Sequence, residues 1–97
     1  MRFEIVLAPE AVEDFRGLKA YVRAEVRAAI ETHLRHEPRK ASRSPIKRLR
    51  GTSSPQFRLR VGGGRVFYDV SDGVVEVLAI VAKSEAEAWL ARSARPA

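Results

Sequence analysis

The chain contains no cysteine, which excludes disulfides and zinc–thiolate sites. Histidine is nearly as scarce, with only His33 and His36. His33 falls on the apolar stripe of a helix and reads as a packed side chain. His36 falls at that helix's end, where the dipole favours an imidazolium. Neither supports a metal site. There is no Gly-rich phosphate loop, no pair of carboxylates at metal spacing and no Ser-His-Asp set. No apolar stretch approaches the ~20 residues that span a bilayer. Arg2 and Glu4 interrupt the only apolar N-terminal run, so no signal peptide is expected. These absences point to a soluble, cytoplasmic protein that needs no cofactor. At 97 residues the chain fits a single domain, 1–97, with one modest core and little room for a deep pocket.

What the chain has in excess is positive charge, and the excess is local. Of 18 Lys and Arg, ten lie between Arg35 and Arg65, against one of the 12 acidic residues; the remainder holds eight basic and eleven acidic side chains. A basic middle in a mildly acidic chain points to a polyanion site. Arginine dominates the stretch, which suits bidentate phosphate binding. The plainer reading is a solvated basic surface.

Phe3-Glu4-Ile5-Val6-Leu7 is a β-rich run and predicts a first strand. Pro9 fits a first helical position, and Glu10, Glu13 and Asp14 favour the positive end of that helix. Gly17 weakens it, with a break expected near Leu18–Ala20. Val22, Val26, Ala29, Ile30, His33 and Leu34 recur at helical spacing and predict a second helix from Ala20 to His36, stopped by Pro38. Arg39–Ser54 reads as a long, mobile connection whose only apolar anchors are Ile46 and Leu49. Phe57, Leu59 and Val61 alternate with Arg58 and Arg60 in a strand. Gly62-Gly63-Gly64 turns the chain into Arg65–Val70, and Ser71-Asp72-Gly73 turns it again into the largely apolar Val74–Val81. Ser84 caps a short helix from Glu85 to Arg92, and 93–97 is expected to fray. The prediction is an α+β fold: an N-terminal strand, an αα-hairpin, a three-stranded antiparallel meander and a short C-terminal helix, with the helices on one face of the sheet.

The arginines are the constellation that remains. Arg58 and Arg60 share a strand face. Whether Arg65 joins them depends on a register that three glycines leave open. With Lys47, Arg48 and Arg50 they would make a cationic face able to hold a phosphate backbone and to stabilise a phosphoryl transition state. A non-catalytic binding face explains the same residues equally well.

Arg48-Leu49-Arg50-Gly51, Phe57-Arg58-Leu59-Arg60-Val61-Gly62 and Arg65-Val66-Phe67-Tyr68 resemble the RelE/ParE toxin superfamily, in which an LxG element precedes a Y-R-L-R-x-G-x-Y-R-x-x-Y hairpin. Leu7-Ala8-Pro9-Glu10-Ala11 is similar to the family's start, and the resemblance spans about residues 3–90. In the RelE branch it implies cleavage of mRNA in the ribosomal A site, by attack of a 2′-hydroxyl on the adjacent phosphate. It matches Arg50, Arg58, Arg60 and Arg65 to basic site positions. Lys83 and Trp89 stand where the family has an arginine and, six residues on, a tyrosine. With the resemblance, Arg60, Arg65 and Lys83 are the catalytic candidates, and Arg50, Arg58 and Trp89, together with Lys47 and Arg48 of the basic segment, the RNA-binding ones. Indole cannot act as an acid or base but can stack on a base. Arginine is a poor general base. Lys83 is therefore the candidate for proton transfer, and Tyr68 reads as a strand residue. The expected partners are the ribosome with its mRNA and an acidic antitoxin, with no membrane and no small-molecule cofactor. The competing readings are a ParE-type inhibitor of DNA gyrase and a non-catalytic relative that binds an antitoxin.

Overall fold

The computed structural model describes residues 1–97. The chain runs through β1 (Glu4–Leu7), α1 (Pro9–Arg16), α2 (Ala20–Leu34), β2 (Ile46–Arg48), β3 (Thr52–Ser54), β4 (Phe57–Val61), β5 (Gly64–Ser71), β6 (Val74–Ala82), a 3₁₀ turn (Lys83–Glu85), α3 (Ala86–Ser93) and β7 (Arg95–Pro96). Five strands form one sheet in the order β1-β6-β5-β4-β2, and β3 pairs with β7 in a separate ribbon. The meander β4-β5-β6 is antiparallel, while β1 lies parallel to β6. This is the expected α+β architecture.

Alternation along the strands decides which face meets which helix. Phe57, Leu59, Val66, Tyr68, Val75, Val77 and Ile80 form one buried cluster with Val26, Ile30 and Leu34 of α2 and Ala11 of α1. Phe67, Ala79 and Trp89 form a second. Phe67 is the register partner of Arg58, so it leaves the sheet on the side away from α2. The single face expected for the helices therefore holds for α1 and α2, whereas α3 lies against the opposite face. Trp89 is what draws it there, because a large buried ring at that position needs a flat apolar partner and finds Phe67.

α1 also completes the sheet edge where β1 stops. The Ala8 N–H donates to the Val77 carbonyl (2.8 Å), and six residues further on the Asp14 carboxylate accepts the Ile80 N–H (2.9 Å). An edge donor that β1 is too short to reach is thereby satisfied.

Two stretches read as irregular are strands. Within Arg39–Ser54, β2 pairs with β4, Ile46 standing opposite Leu59; three residues with one buried anchor carry too little periodicity to show in sequence. The frayed tail is also corrected: α3 continues through Ser93, and Arg95 and Pro96 pair with Ser54 and Thr52.

Tyr68 is fully buried, stacks on Phe57 (5.4 Å between ring centres) and donates its hydroxyl hydrogen bond to the Pro38 carbonyl (2.6 Å). It thus fastens the chain leaving α2 to the sheet. Burial raises its phenol pKa well above the ordinary value. The native state then holds the proton more tightly than the unfolded chain. This contribution is complete below pH about 10 and is lost as pH climbs above it. Tyr68→Phe is expected to cost about 1 kcal/mol at neutral pH and to show a shallower alkaline loss of stability than the wild type in denaturant titrations.

Candidate functional site

The hairpin register builds the basic face. Val61 pairs with Gly64 across a two-residue turn in which Gly62 has φ +54°, a conformation that side-chain-bearing residues avoid. Arg60 consequently stands directly opposite Arg65, and Arg58 opposite Phe67; on the outer side of β4, Lys47 stands opposite Arg58. Two cross-strand rungs, Lys47–Arg58–Phe67 and Arg60–Arg65, thus project from the face away from α2. Beside them, α3 and the 3₁₀ turn form a wall. The resulting depression, of about 320 Å³, is lined by Lys47, Leu49, Arg58, Arg65, Phe67, Lys83, Ala86, Glu87 and Leu90. It adjoins a more open one of about 720 Å³ lined by Gly63, Ala82, Lys83, Ser84 and Glu87.

Each cation is held differently. Arg65 is 8% exposed, and its Nη1 donates to the carbonyls of Gly62 (3.1 Å) and Gly64 (2.8 Å). The hairpin turn therefore fixes this guanidinium without neutralising it. Arg58 is partly buried; its Nη2 donates a long bond to the Pro45 carbonyl (3.4 Å), and its Nε is buried with no partner. Burial, then the charges of Arg65 and Arg60, depress its pKa. No carboxylate forms an ion pair with either arginine, since the protein's two ion pairs are Arg16–Glu13 and Arg35–Glu31. Such an arrangement costs folding energy in the free protein and is relieved by an anion. Lys83 starts the 3₁₀ turn, anchored through its backbone N–H to the Gly63 carbonyl (2.8 Å), with its side chain exposed.

The structure does not gather all the sequence candidates. Lys47, Arg58, Arg65 and Lys83 share the depression, and Arg60 stands exposed on the same face beside it. Arg50 is exposed in the turn after β2 and lines neither depression. Arg48 lies on the opposite face: it pairs with Phe57 and its guanidinium sits 5.3 Å from that ring's centre. One residue's alternation from Lys47 is enough to turn it away.

Trp89 is also withdrawn from the role expected of it. It is 4% exposed, lies parallel to Phe67 at 4.8 Å, and donates from Nε1 to Glu10 Oε2 (2.7 Å). Its ring locks α3 to the sheet and to α1 and offers no free face to a base. Glu87, which lines both depressions, is not among the sequence candidates. Its i+4 spacing from Lys83, across a turn that continues into α3, was the signal that places the two together.

The chain is thus a small α+β protein with an αα-hairpin on one face of its sheet and a cationic concavity on the other. A family model for the ParE toxin of the type II parDE toxin–antitoxin system matches residues 5–87, and the chain belongs to that family. It is a type II toxin–antitoxin toxin of the RelE/ParE superfamily. Among solved structures, the archaeal RelE–RelB complex from Pyrococcus horikoshii OT3 is similar at 22% identity and TM-score 0.70, over 86% of this chain and 97% of that one. A mutant of the E. coli toxin RelE in the free state is similar at 24% identity and TM-score 0.70, over 92% of each chain. The RelBE2 toxin–antitoxin complex from Mycobacterium tuberculosis is similar at 22% identity and TM-score 0.69, over 84% and 99%. A search of curated proteins found no match. No helix is long and apolar enough to cross a membrane.

Proposed function

We propose that this toxin is a ribosome-dependent mRNA endoribonuclease, acting in the cytoplasm as a single domain and neutralised by an acidic antitoxin that covers the basic face. The observation that carries the reading is Arg58: a partly buried guanidinium with an unpartnered Nε, crowded by Arg65 and Arg60 on an open face. That is a site waiting for phosphate. Bound RNA would bring a 2′-hydroxyl beside the next phosphorus. The 2′-oxygen forms a bond to phosphorus, the bond to the 5′-oxygen breaks, and a 2′,3′-cyclic phosphate is left. Arg58 and Arg65 stabilise the charge that gathers on the non-bridging oxygens. Lys83, beside them, takes part in proton transfer, and Lys47 and Arg60 guide the backbone.

Four cations in the depression predict a salt dependence. The logarithm of the affinity for single-stranded RNA should fall with a slope of roughly −3 against log salt, and Lys47→Ala should make that slope shallower by about 0.7. Fluorescence anisotropy across a salt series reads both.

Gyrase poisoning is the second reading, favoured by the inward-turned Trp89 and the absence of a tyrosine in the depression. A translation reaction from purified components, run beside a gyrase supercoiling assay, separates the two. The mRNase reading predicts arrested synthesis with a cut message and unimpaired supercoiling. The reverse pattern would replace it.

A further inference from the structure

A phosphate site gains nothing from a free carboxylate, which repels the ligand, yet one stands in this site. Glu87 is the only acidic residue lining either depression, and it lines both, together with Lys83. It belongs to the first turn of α3 and is exposed, and neither of the protein's ion pairs includes it. Of the ionisable side chains around the smaller depression, the arginines stay charged throughout any proton transfer. The phenol of Tyr68 is buried on the other face, and both histidines lie outside the site. Lys47, Lys83 and Glu87 are therefore the lining groups able to exchange a proton with substrate, and of the two lysines Lys83 is the one that also borders the larger depression together with Glu87. As an ammonium, Lys83 is a donor only; a carboxylate is an acceptor only.

We propose that Glu87 is the general base of this site, with Lys83 as its complementary acid, an assignment that rests on the RNA-cleavage reading. The Glu87 carboxylate takes the proton of the 2′-hydroxyl as the 2′-oxygen bonds to phosphorus. The Lys83 ammonium gives a proton to the departing 5′-oxygen. Exchange with water restores both groups. Trp89 packs inward, and the proton acceptor stands two residues earlier on the exposed side of the same helix.

Single-turnover cleavage of a ribosome-bound mRNA of defined sequence, measured across pH for the wild type, Glu87→Asp and Glu87→Gln, tests this. Binding of a single-stranded RNA oligonucleotide is followed in parallel. Glu87→Gln should slow cleavage by about 10²-fold or more and abolish the low-pH limb of the rate profile. It should bind RNA as tightly as the wild type or more so, having lost a like charge, and Glu87→Asp should recover part of the rate. A Glu87→Gln protein that cleaves like the wild type, keeps the low-pH limb, or loses cleavage only in step with RNA binding overturns the assignment and leaves the RNA-cleavage reading standing. Folded wild-type protein that cuts nothing removes both.

Discussion

Arg58→Met is expected to lower the cleavage rate by about 10²–10³-fold while leaving the protein as stable as the wild type or more so. The rate loss follows from removing a preorganised donor aimed at developing phosphoryl charge, in a site already shielded from water on the sheet side. The opposite sign in stability follows from the free structure. The Arg58 Nε has no partner, its one hydrogen bond is long, and Arg65 and Arg60 repel it. A thioether stem of similar length keeps the packing and removes the buried charge. Thermal melts and single-turnover kinetics on the same preparations check the two halves together. A residue that destabilises the fold and is needed for activity is the mark of a binding site; one that merely packs would lose both.

Trp89→Ala carries the second large effect, and here stability and function should fall together. The indole stacks on Phe67 and ties Glu10 of α1 to α3. Its removal deletes the centre of the smaller core cluster and the tie from α3 to α1, at a cost of about 3–5 kcal/mol. Against a total of about 5–15 kcal/mol for a domain, that is enough to lower the melting point sharply. Because the wall that carries Lys83 and Glu87 depends on this docking, RNA cleavage should fall as well. Trp89→Phe keeps the stack and loses only the donor, so it should cost about 1–3 kcal/mol and retain most activity. Urea titrations of the two variants give the comparison directly.

The elements of this fold were legible wherever period and length agreed. Fifteen residues of α2 and the alternating β4 announce themselves, and the glycine and Ser-Asp-Gly turns fix the meander between them. β2, β3 and β7 did not, because strands of two or three residues carry no period and exist only through their partners. The site divides in the same way. That Arg58 and Arg60 share a face is a property of one strand and is visible in sequence. That Arg65 joins them depends on a register set by Gly62 and its neighbours, which only three-dimensional structure reveals. Trp89 and Arg48 show the limits of reading roles from position: Trp89, matched to a family's motif, packs against Phe67, and Arg48, expected on the basic face, lies over the Phe57 ring on the opposite one. Glu87 shows the converse, a site residue no motif marks, brought in by the turn that carries Lys83.

The central claim is that this basic face cleaves RNA held by a ribosome. Primer extension on an mRNA bound to purified ribosomes tests it most directly, with wild-type and Arg58→Met protein and with naked mRNA as the control. The account predicts new ends within the A-site codon, dependent on ribosomes and lost with Arg58→Met. Full-length message in every lane, with folded wild-type protein present, would contradict it.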